Sequence, residues 1–241
     1  MWSGEATYKN SKLTVIVPVF NEAPRIVENL NLLTKEIERH FSNYEVIVIS
    51  DGSTDATASK LLEYDHPHLK AVLREQNSGK GAVIRTGFQM ATGDYVLFID
   101  GGMEIHPKEI RIFMGLMSVY ECDIVIGSKR HPQSRIQYPW HRRVMSWMFQ
   151  RLVHRLFRLD VTDTQVGIKL LRAEIVKTIL PHLEINRYGF DLEILSLAKR
   201  FGYGRILEAP IHMDYFGKNE RFVVQEVFHV FKIAYSLLKD T

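Results

Sequence analysis

The residues of this 241-residue chain best suited to chemistry lie in short polar turns, each following an apolar run. Pro18-Val19-Phe20-Asn21-Glu22 follows the first run and Ser50-Asp51-Gly52-Ser53-Thr54-Asp55 the second. Asn77-Ser78-Gly79-Lys80-Gly81, Asp100-Gly101-Gly102-Met103-Glu104 and Gly127-Ser128-Lys129-Arg130 follow the next three. Carboxylates in such a position are the usual means of holding Mg2+ or Mn2+ against a diphosphate, and Asp100 and Glu104 are the two available in the fourth turn. Two glycines flanking Lys80 ahead of a helix can present backbone N–H groups and an ammonium to phosphate, although the spacing is not that of a Walker A loop. Asp51 is placed to accept hydrogen bonds from a base or ribose. Plain structural readings stand beside these: Asn21 and Asp55 as helix N-caps, and Glu22 as a complement to a helix dipole.

The elements between the turns must position them. Leu13 to Val19, Tyr44 to Ser50, Leu69 to Arg74, Asp94 to Ile99 and Asp123 to Gly127 read as strands. Glu22 to Phe41, Asp55 to Glu63, Lys80 to Ala91 and Pro107 to Tyr120 read as helices, the first with Ile26, Leu30, Leu33, Ile37 and Phe41 on one face. This alternation predicts an α/β fold with a mostly parallel central sheet flanked by helices on both faces. Ligands of such sheets sit at the carboxyl ends of the strands, where the polar turns lie. Pro18 cannot donate to a ladder, so the first strand is expected to end or kink there.

The second half is less regular. His141 to Arg158 is a basic, aromatic helical stretch; Val166 to Leu171 is a short strand or extended run; Arg172 to Leu180 and Phe190 to Phe201 read as helices; Arg205 to Met213 reads as a strand. The tail, Arg221 to Lys239, carries Val224, Val227, Phe228, Phe231, Ala234, Tyr235 and Leu238 at helical spacing.

Apolar residues make up 46% and charged residues 24%, which excludes a disordered chain. The formal net charge is +3, yet Lys129 to Leu159 holds eight Lys or Arg and no acid. That stretch also carries Tyr138, Trp140, Trp147, Phe149 and Phe157, and is either a solvated basic helix or an anion- or membrane-facing surface. Nucleic acid, which a pI near 8.9 suggests, is opposed by the acidic turns at Asp51, Asp55 and Asp100. Cys122, the single cysteine, allows no intrachain disulfide. The N-terminus, MWSGEATYKN, lacks the apolar stretch of a secretory signal, and no segment approaches the ~18 uninterrupted apolar residues of a spanning helix, so membrane contact is expected to be peripheral.

Taken in order, VPVFNE, SDGSTD, NSGKGAVIRTGFQMATGDYVLFIDG, DIVIGSKR, TDTQVGIKLLR and GFDLEILSLAKRFGY resemble the inverting family-two glycosyltransferases of the GT-A fold. The branch most similar is that of the dolichol-phosphate mannose synthases and glucosyltransferases, and DTQ-G-K leans toward the latter. The resemblance covers roughly residues 13–213. It implies a nucleotide pocket of Pro18, Phe20, Asn21, Glu22, Asp51, Lys80, Arg85, Asp100 and Gly101. It implies a divalent cation, Mg2+ or Mn2+, on Asp100, with Glu104 where the branch often has Gln. Acceptor or lipid phosphate would meet Lys129, Arg130, Arg142, Arg143, Gln165 and Lys169, and the catalytic set would be Asp100, Asp163 and Lys129.

Two departures from the family pattern stand out. Gly102 replaces the second Asp of Asp-x-Asp, and Ser50 stands where many members have Asp. The implied reaction moves a hexose, glucose or mannose, from a UDP- or GDP-linked donor to a polyprenyl or dolichyl phosphate at the cytoplasmic face of a membrane. A phosphate monoester, with its second pKa near ~6, needs little general-base help. A sugar hydroxyl would need a base, for which Asp163 is the candidate. The alternatives are a glycan or polysaccharide acceptor, or a scaffold whose metal chemistry was lost through Gly102. The expected division is a catalytic domain over 1–218 and an amphipathic, interfacial helix over 219–241.

Overall fold

Long runs of apolar residues make strands that need cover on both faces. The computed structural model describes residues 11–136, 157, 159–187 and 189–214. In chain order these form β1 (Leu13–Val19), α1 (Ile26–Glu38), β2 (Tyr44–Asp51), α2 (Thr57–Glu63), β3 (Leu69–Arg74), α3 (Lys80–Met90), β4 (Tyr95–Ile99), α4 (Glu109–Tyr120) and β5 (Ile124–Gly127). There follow β6 (Arg135–Ile136), β7 (Ile168–Arg172), α5 (Ala173–Ile179), a 3-10 turn (Leu180–His182), α6 (Phe190–Arg200), β8 (Ile206–Ala209) and β9 (His212–Met213). The described residues build a seven-stranded sheet in the order β3-β2-β1-β4-β7-β5-β8. Neighbours are parallel except at β7, which runs antiparallel to both β4 and β5. A separate parallel pair joins β6 to β9, and Met213 also bridges to Ile105.

Side chains alternate along a strand, so each central strand feeds two cores. Val15, Val17, Leu97 and Ile99 pack with Leu30, Leu33 and Ile37 of α1 and with Phe113 and Met117 of α4. Ile16, Val96 and Phe98 face the other way, toward Val83 and Phe88 of α3, Ile175 of α5 and Phe190 and Leu195 of α6. Each fully buried Leu, Ile or Phe stabilises the fold by about 1.5–3 kcal/mol relative to exposure. The edge strand β3 is only partly buried along its length.

Three expectations change in detail. β1 does not end at Pro18: it stays paired with β2 through Val19↔Ser50, while its pairing with β4 stops at Ile16↔Phe98. The first helix begins at Ile26 rather than Glu22. Asn21 sits at φ +54, and Pro24 disfavours helical geometry at Ala23, so residues 22–25 form a turn instead. The strand expected over Arg205 to Met213 is cut by Pro210, which has no N–H for a ladder, into β8 and β9. The basic helix His141 to Arg158, apart from Phe157, and the tail Arg221 to Lys239 lie outside the described residues, Arg142 and Arg143 with them. Among the described residues no helix is long and apolar enough to cross a membrane.

Candidate active site

The turns after the parallel strands meet along one rim of the sheet, and hydrogen bonds between them fix that rim. Asp51 ends β2 with its side chain almost wholly buried. Its Oδ1 accepts the Ser78 N–H at 2.9 Å and its Oδ2 the Gly79 N–H at 2.7 Å. Asn77 Nδ2 adds a bond to the Asp51 carbonyl, and Arg74 Nε lies 3.9 Å from the carboxylate. Asp51 therefore shapes the loop that carries Lys80, instead of offering an open carboxylate to a base or ribose. Gly79 takes φ +96 and its Cα lies against the Asn186 carbonyl, so any side chain there collides with backbone.

The β1 turn is tied to the β2 turn in the same manner. Asn21 N–H donates to Ser53 Oγ, and Asn21 Oδ1 accepts the Thr54 N–H at 2.8 Å. Glu22 N–H donates to Thr57 Oγ1, and Asp55 takes the Ala23 N–H and the Thr57 N–H. Asn21 thus caps a neighbouring turn, not its own helix. Phe20 projects from this turn 45% exposed.

At the end of β4, Asp100 N–H donates to the Gly167 carbonyl and Gly101 N–H to the Pro18 carbonyl. The buried Asn29 side chain from α1 holds the Gly101 carbonyl at 2.8 Å. Asp100 keeps a side chain 49% exposed, with Oδ1 at 2.7 Å from Lys80 Nζ. Lys80 Nζ lies 4.0 Å from Asp191 Oδ2 at the start of α6, and Asp191 Oδ1 is bonded to Lys169 Nζ of β7. Both ammonium groups sit over the Phe98 ring, at 5.6 and 5.4 Å from its centroid. The result is a row of alternating charges, Asp100, Lys80, Asp191, Lys169, running from the rim into the core. Burial works against the charge on Lys80, but Asp100 and Asp191 outweigh it and hold the ammonium above the ordinary lysine range. Burial likewise works against ionised Asp191, and Lys169 and Lys80 outweigh it to hold the carboxyl below its ordinary value. Lys169, with no exposed surface, is pulled below its ordinary value by loss of water.

At β5, the Lys129 N–H donates to Asp163 Oδ2 at 3.0 Å and its ammonium stands 3.6 Å from the same oxygen. Asp163 Oδ1 accepts the Gln165 N–H, and Glu208 of β8 receives the N–H groups of Thr162 and Asp163. Arg130 N–H donates to Ser128 Oγ. Asp163, only 2% exposed and bonded at both oxygens, anchors this turn and is not positioned to take a proton from an acceptor. Lys169 is likewise corrected: its ammonium reaches Val166 O and Asp191, not the surface where an acceptor phosphate would arrive. Arg85 turns from α3 to Leu183 O and Asn186 Oδ1, holding the loop that covers Gly79 and Gly81. Gln165 Nε2 is buried with no hydrogen-bond partner among the described residues.

Among the described residues no three His, Cys, Asp or Glu side chains are grouped to hold a metal ion. An ion that draws most of its shell from a diphosphate and water needs only one or two carboxylates, and half-exposed Asp100 fits that donor set. Glu22 Oε1 lies 3.6 Å from the point where residue 102 would carry Cβ, which places it beside the same turn. Glu104, expected as the second ligand, holds the Asp214 N–H through its backbone carbonyl.

Two residues of the site went unassigned in the sequence. Asp191 lies in the GFDLEILSLAKRFGY motif with no role assigned to it there, although Phe190 to Ala198 is buried throughout, which demands a partner for each charge. Gly167 sits so close to Asp100 that a Cβ would stand 1.9 Å from Oδ2.

Comparisons with known proteins give the family and the fold of the chain. The chain is 31% identical over 206 residues to a dolichyl-phosphate beta-glucosyltransferase of Dictyostelium discoideum, a match covering 79% of this chain and 63% of that protein. It is 31% identical over 204 residues to one of Mus musculus, covering 78% and 63%. The chain thus spans under two thirds of the length of these relatives. Among solved structures, glucosyl-3-phosphoglycerate synthase from Mycobacterium tuberculosis, in complex with Mn2+, UDP-glucose and phosphoglyceric acid, superposes with a TM-score of 0.74 at 19% identity. That match covers 96% of this chain and 82% of the other and shows a shared GT-A fold. Residues 14–180 match the family model for glycosyl transferase family 2, and with these relatives at 31% identity the chain belongs to the family-two glycosyltransferases.

Proposed function

We propose that this chain transfers a hexose, glucose in the first instance, from a nucleotide diphosphate to dolichyl or polyprenyl phosphate at a membrane surface. The observation that carries the reading is the rim: half-exposed Asp100 beside Lys80, on turns locked together by Asp51, Asn21 and Gly101. The names of the relatives support dolichyl phosphate as acceptor, and the UDP-glucose complex of the shared fold supports a UDP-linked donor over a GDP-linked one.

In this reading Pro18, Phe20, Asn21, Glu22, Gly101 and the 78–81 loop shaped by Asp51 line the nucleotide pocket. Asp100, with Glu104 four residues further along the same turn, would hold Mg2+ or Mn2+, which supplies positive charge against the leaving diphosphate. Lys80 adds positive charge there, and Arg85 keeps its loop in place. Lys129 and Arg130 at the rim, followed by Arg142 and Arg143, would receive the acceptor phosphate, with Gln165 beside them. A phosphate oxygen is already ionised at neutral pH, so alignment and charge neutralisation account for the rate. The sealed state of Asp163 supports that view, because no base is required. We place the catalytic unit in 1–218, and the amphipathic 219–241 on the cytoplasmic face.

Incubating the chain in detergent with UDP-glucose or GDP-mannose, with and without dolichyl phosphate and Mn2+, tests the proposal by recovery of labelled hexose in the lipid extract. Metal-dependent labelling from UDP-glucose, only when dolichyl phosphate is present, is expected. Transfer to a glycan with no lipid product, or nucleotide binding with no turnover, overturns it.

A further inference from the structure

The charge row beneath the rim has a consequence for metal binding. Lys80 Nζ is bonded to Asp100 Oδ1 at 2.7 Å, so an ammonium already occupies one oxygen of the carboxylate best placed for a divalent ion. A second carboxylate, Asp191, waits 4.0 Å from the same ammonium. Lys169, wholly buried, fixes Asp191 in that position from the far side, and the Phe98 ring forms a shared floor under both ammonium groups. Lys80 therefore has two anionic partners within reach of a small side-chain motion, only one of which is open to solvent. Position 102, which in the family pattern would hold a second aspartate, offers no further carboxylate to dilute this contest.

We propose that Lys80 is an internal cation which holds Asp100 in place before a divalent ion arrives and passes to Asp191 when Asp100 takes up that ion. Lys169 is a positioning residue in this scheme, since it acts only by keeping Asp191 ready. The inference rests on the reading that Asp100 is a metal-binding carboxylate, and deepens it: ion affinity is set by a lysine that competes for the ligand.

Electron paramagnetic resonance of free Mn2+, titrated with Mn2+ alone and no nucleotide, separates this from a merely structural lysine. A structural or ligand-supporting Lys80 would weaken Mn2+ binding when removed. A competitor gives the opposite: Lys80→Gln is expected to tighten Mn2+ by about three- to fivefold, the worth of one partly exposed ion pair. Asp191→Asn is expected to weaken it, since Lys80 then has no second partner. Should Asp191→Asn fail to fold, wild-type protein with 13C-methylated lysines replaces it, the Lys80 signal being identified by its loss in Lys80→Gln. That signal is expected to move when Mg2+ is added. Equal or weaker Mn2+ binding by Lys80→Gln, no measurable binding to either protein, or a Lys80 signal indifferent to Mg2+ overturns the proposal. A parallel titration with UDP reports on the donor reading alone, because the Mn2+ measurement contains no nucleotide.

Discussion

One methyl group at position 167 is expected to disable the rim while leaving the fold in place. In Gly167→Ala the new Cβ would lie 1.9 Å from Asp100 Oδ2, 2.6 Å from Cγ and 3.3 Å from Oδ1. Carbon and oxygen atoms not bonded to one another settle at roughly 3.5 Å, so the carboxylate must retreat by more than about 1 Å. It has room to do so, because the side chain is half exposed. The alanine itself is unstrained, since Gly167 is not among the glycines at positive φ. Retreat breaks the 2.7 Å contact with Lys80, a partly exposed pair worth under about 1 kcal/mol of stability. In a chain of this size that loss lowers Tm by no more than about 4 °C. The effect on chemistry is larger, because a misplacement of about 1 Å costs roughly 100-fold in rate, or about 2.7 kcal/mol in the barrier. Turnover of UDP-glucose with dolichyl phosphate, measured beside a thermal melt, gives both numbers. The double variant with Asp100→Ala closes the cycle: once the carboxylate is absent, the methyl group should cost nothing further. Turnover of Gly167→Ala within about threefold of wild type, or a further large loss in the Asp100→Ala background, would refute the steric reasoning.

Other outcomes concern the buried charges. Lys169→Met strands Asp191 in the core and is expected to cost about 3–5 kcal/mol in urea unfolding, whereas Lys169→Met with Asp191→Leu should recover part of that loss. Asp163→Asn should lower stability by about 1–3 kcal/mol by weakening the hydrogen bonds to Lys129 and Gln165, yet leave the shape of the pH–rate profile intact; loss of the acidic limb would restore Asp163 as the proton acceptor. Burial raises the Glu193 carboxyl above its ordinary value, partly offset by the N–H groups of Glu184 and Ile185. The folded chain then holds that proton to higher pH than the unfolded chain, so this group's contribution falls as pH rises past 4.5. Glu193→Gln should flatten that slope in melts at about pH 5 and about pH 7.5.

Most of the sheet was legible because its signals are local. The runs at Leu13 to Val19 and Leu69 to Arg74 match their strands residue for residue, and the five polar turns after strands identify the rim. The illegible parts depend on partners. A five-residue run such as Ile168–Arg172 does not reveal the direction in which it pairs, so the reversal of β7 is fixed only by its pairing with Leu97 and Val125 around Leu170. Asp163 and Lys169 are expected at the acceptor because the resemblance puts them there, and a motif carries no information on burial. Their burial comes from the arrival of Glu208, Lys129 and Asp191 from distant parts of the chain. Asp51 carried the same ambiguity: its type and place at a strand end were right for the rim, but the groups it binds are backbone amides 27 and 28 positions away.

The reversed strand also divides the molecule for anyone wishing to engineer it. The parallel strands beside it reach the rim with their last residues, whereas β7 leaves the rim with its first, Ile168 standing opposite Ile99 and Arg172 opposite Tyr95. Grafts, labels or permuted termini near Arg172 and Ala173 therefore emerge at the sheet's opposite end, remote from Asp100. The same alterations between Thr162 and Gly167 land against it, so a single short strand separates an address far from the rim from one beside it.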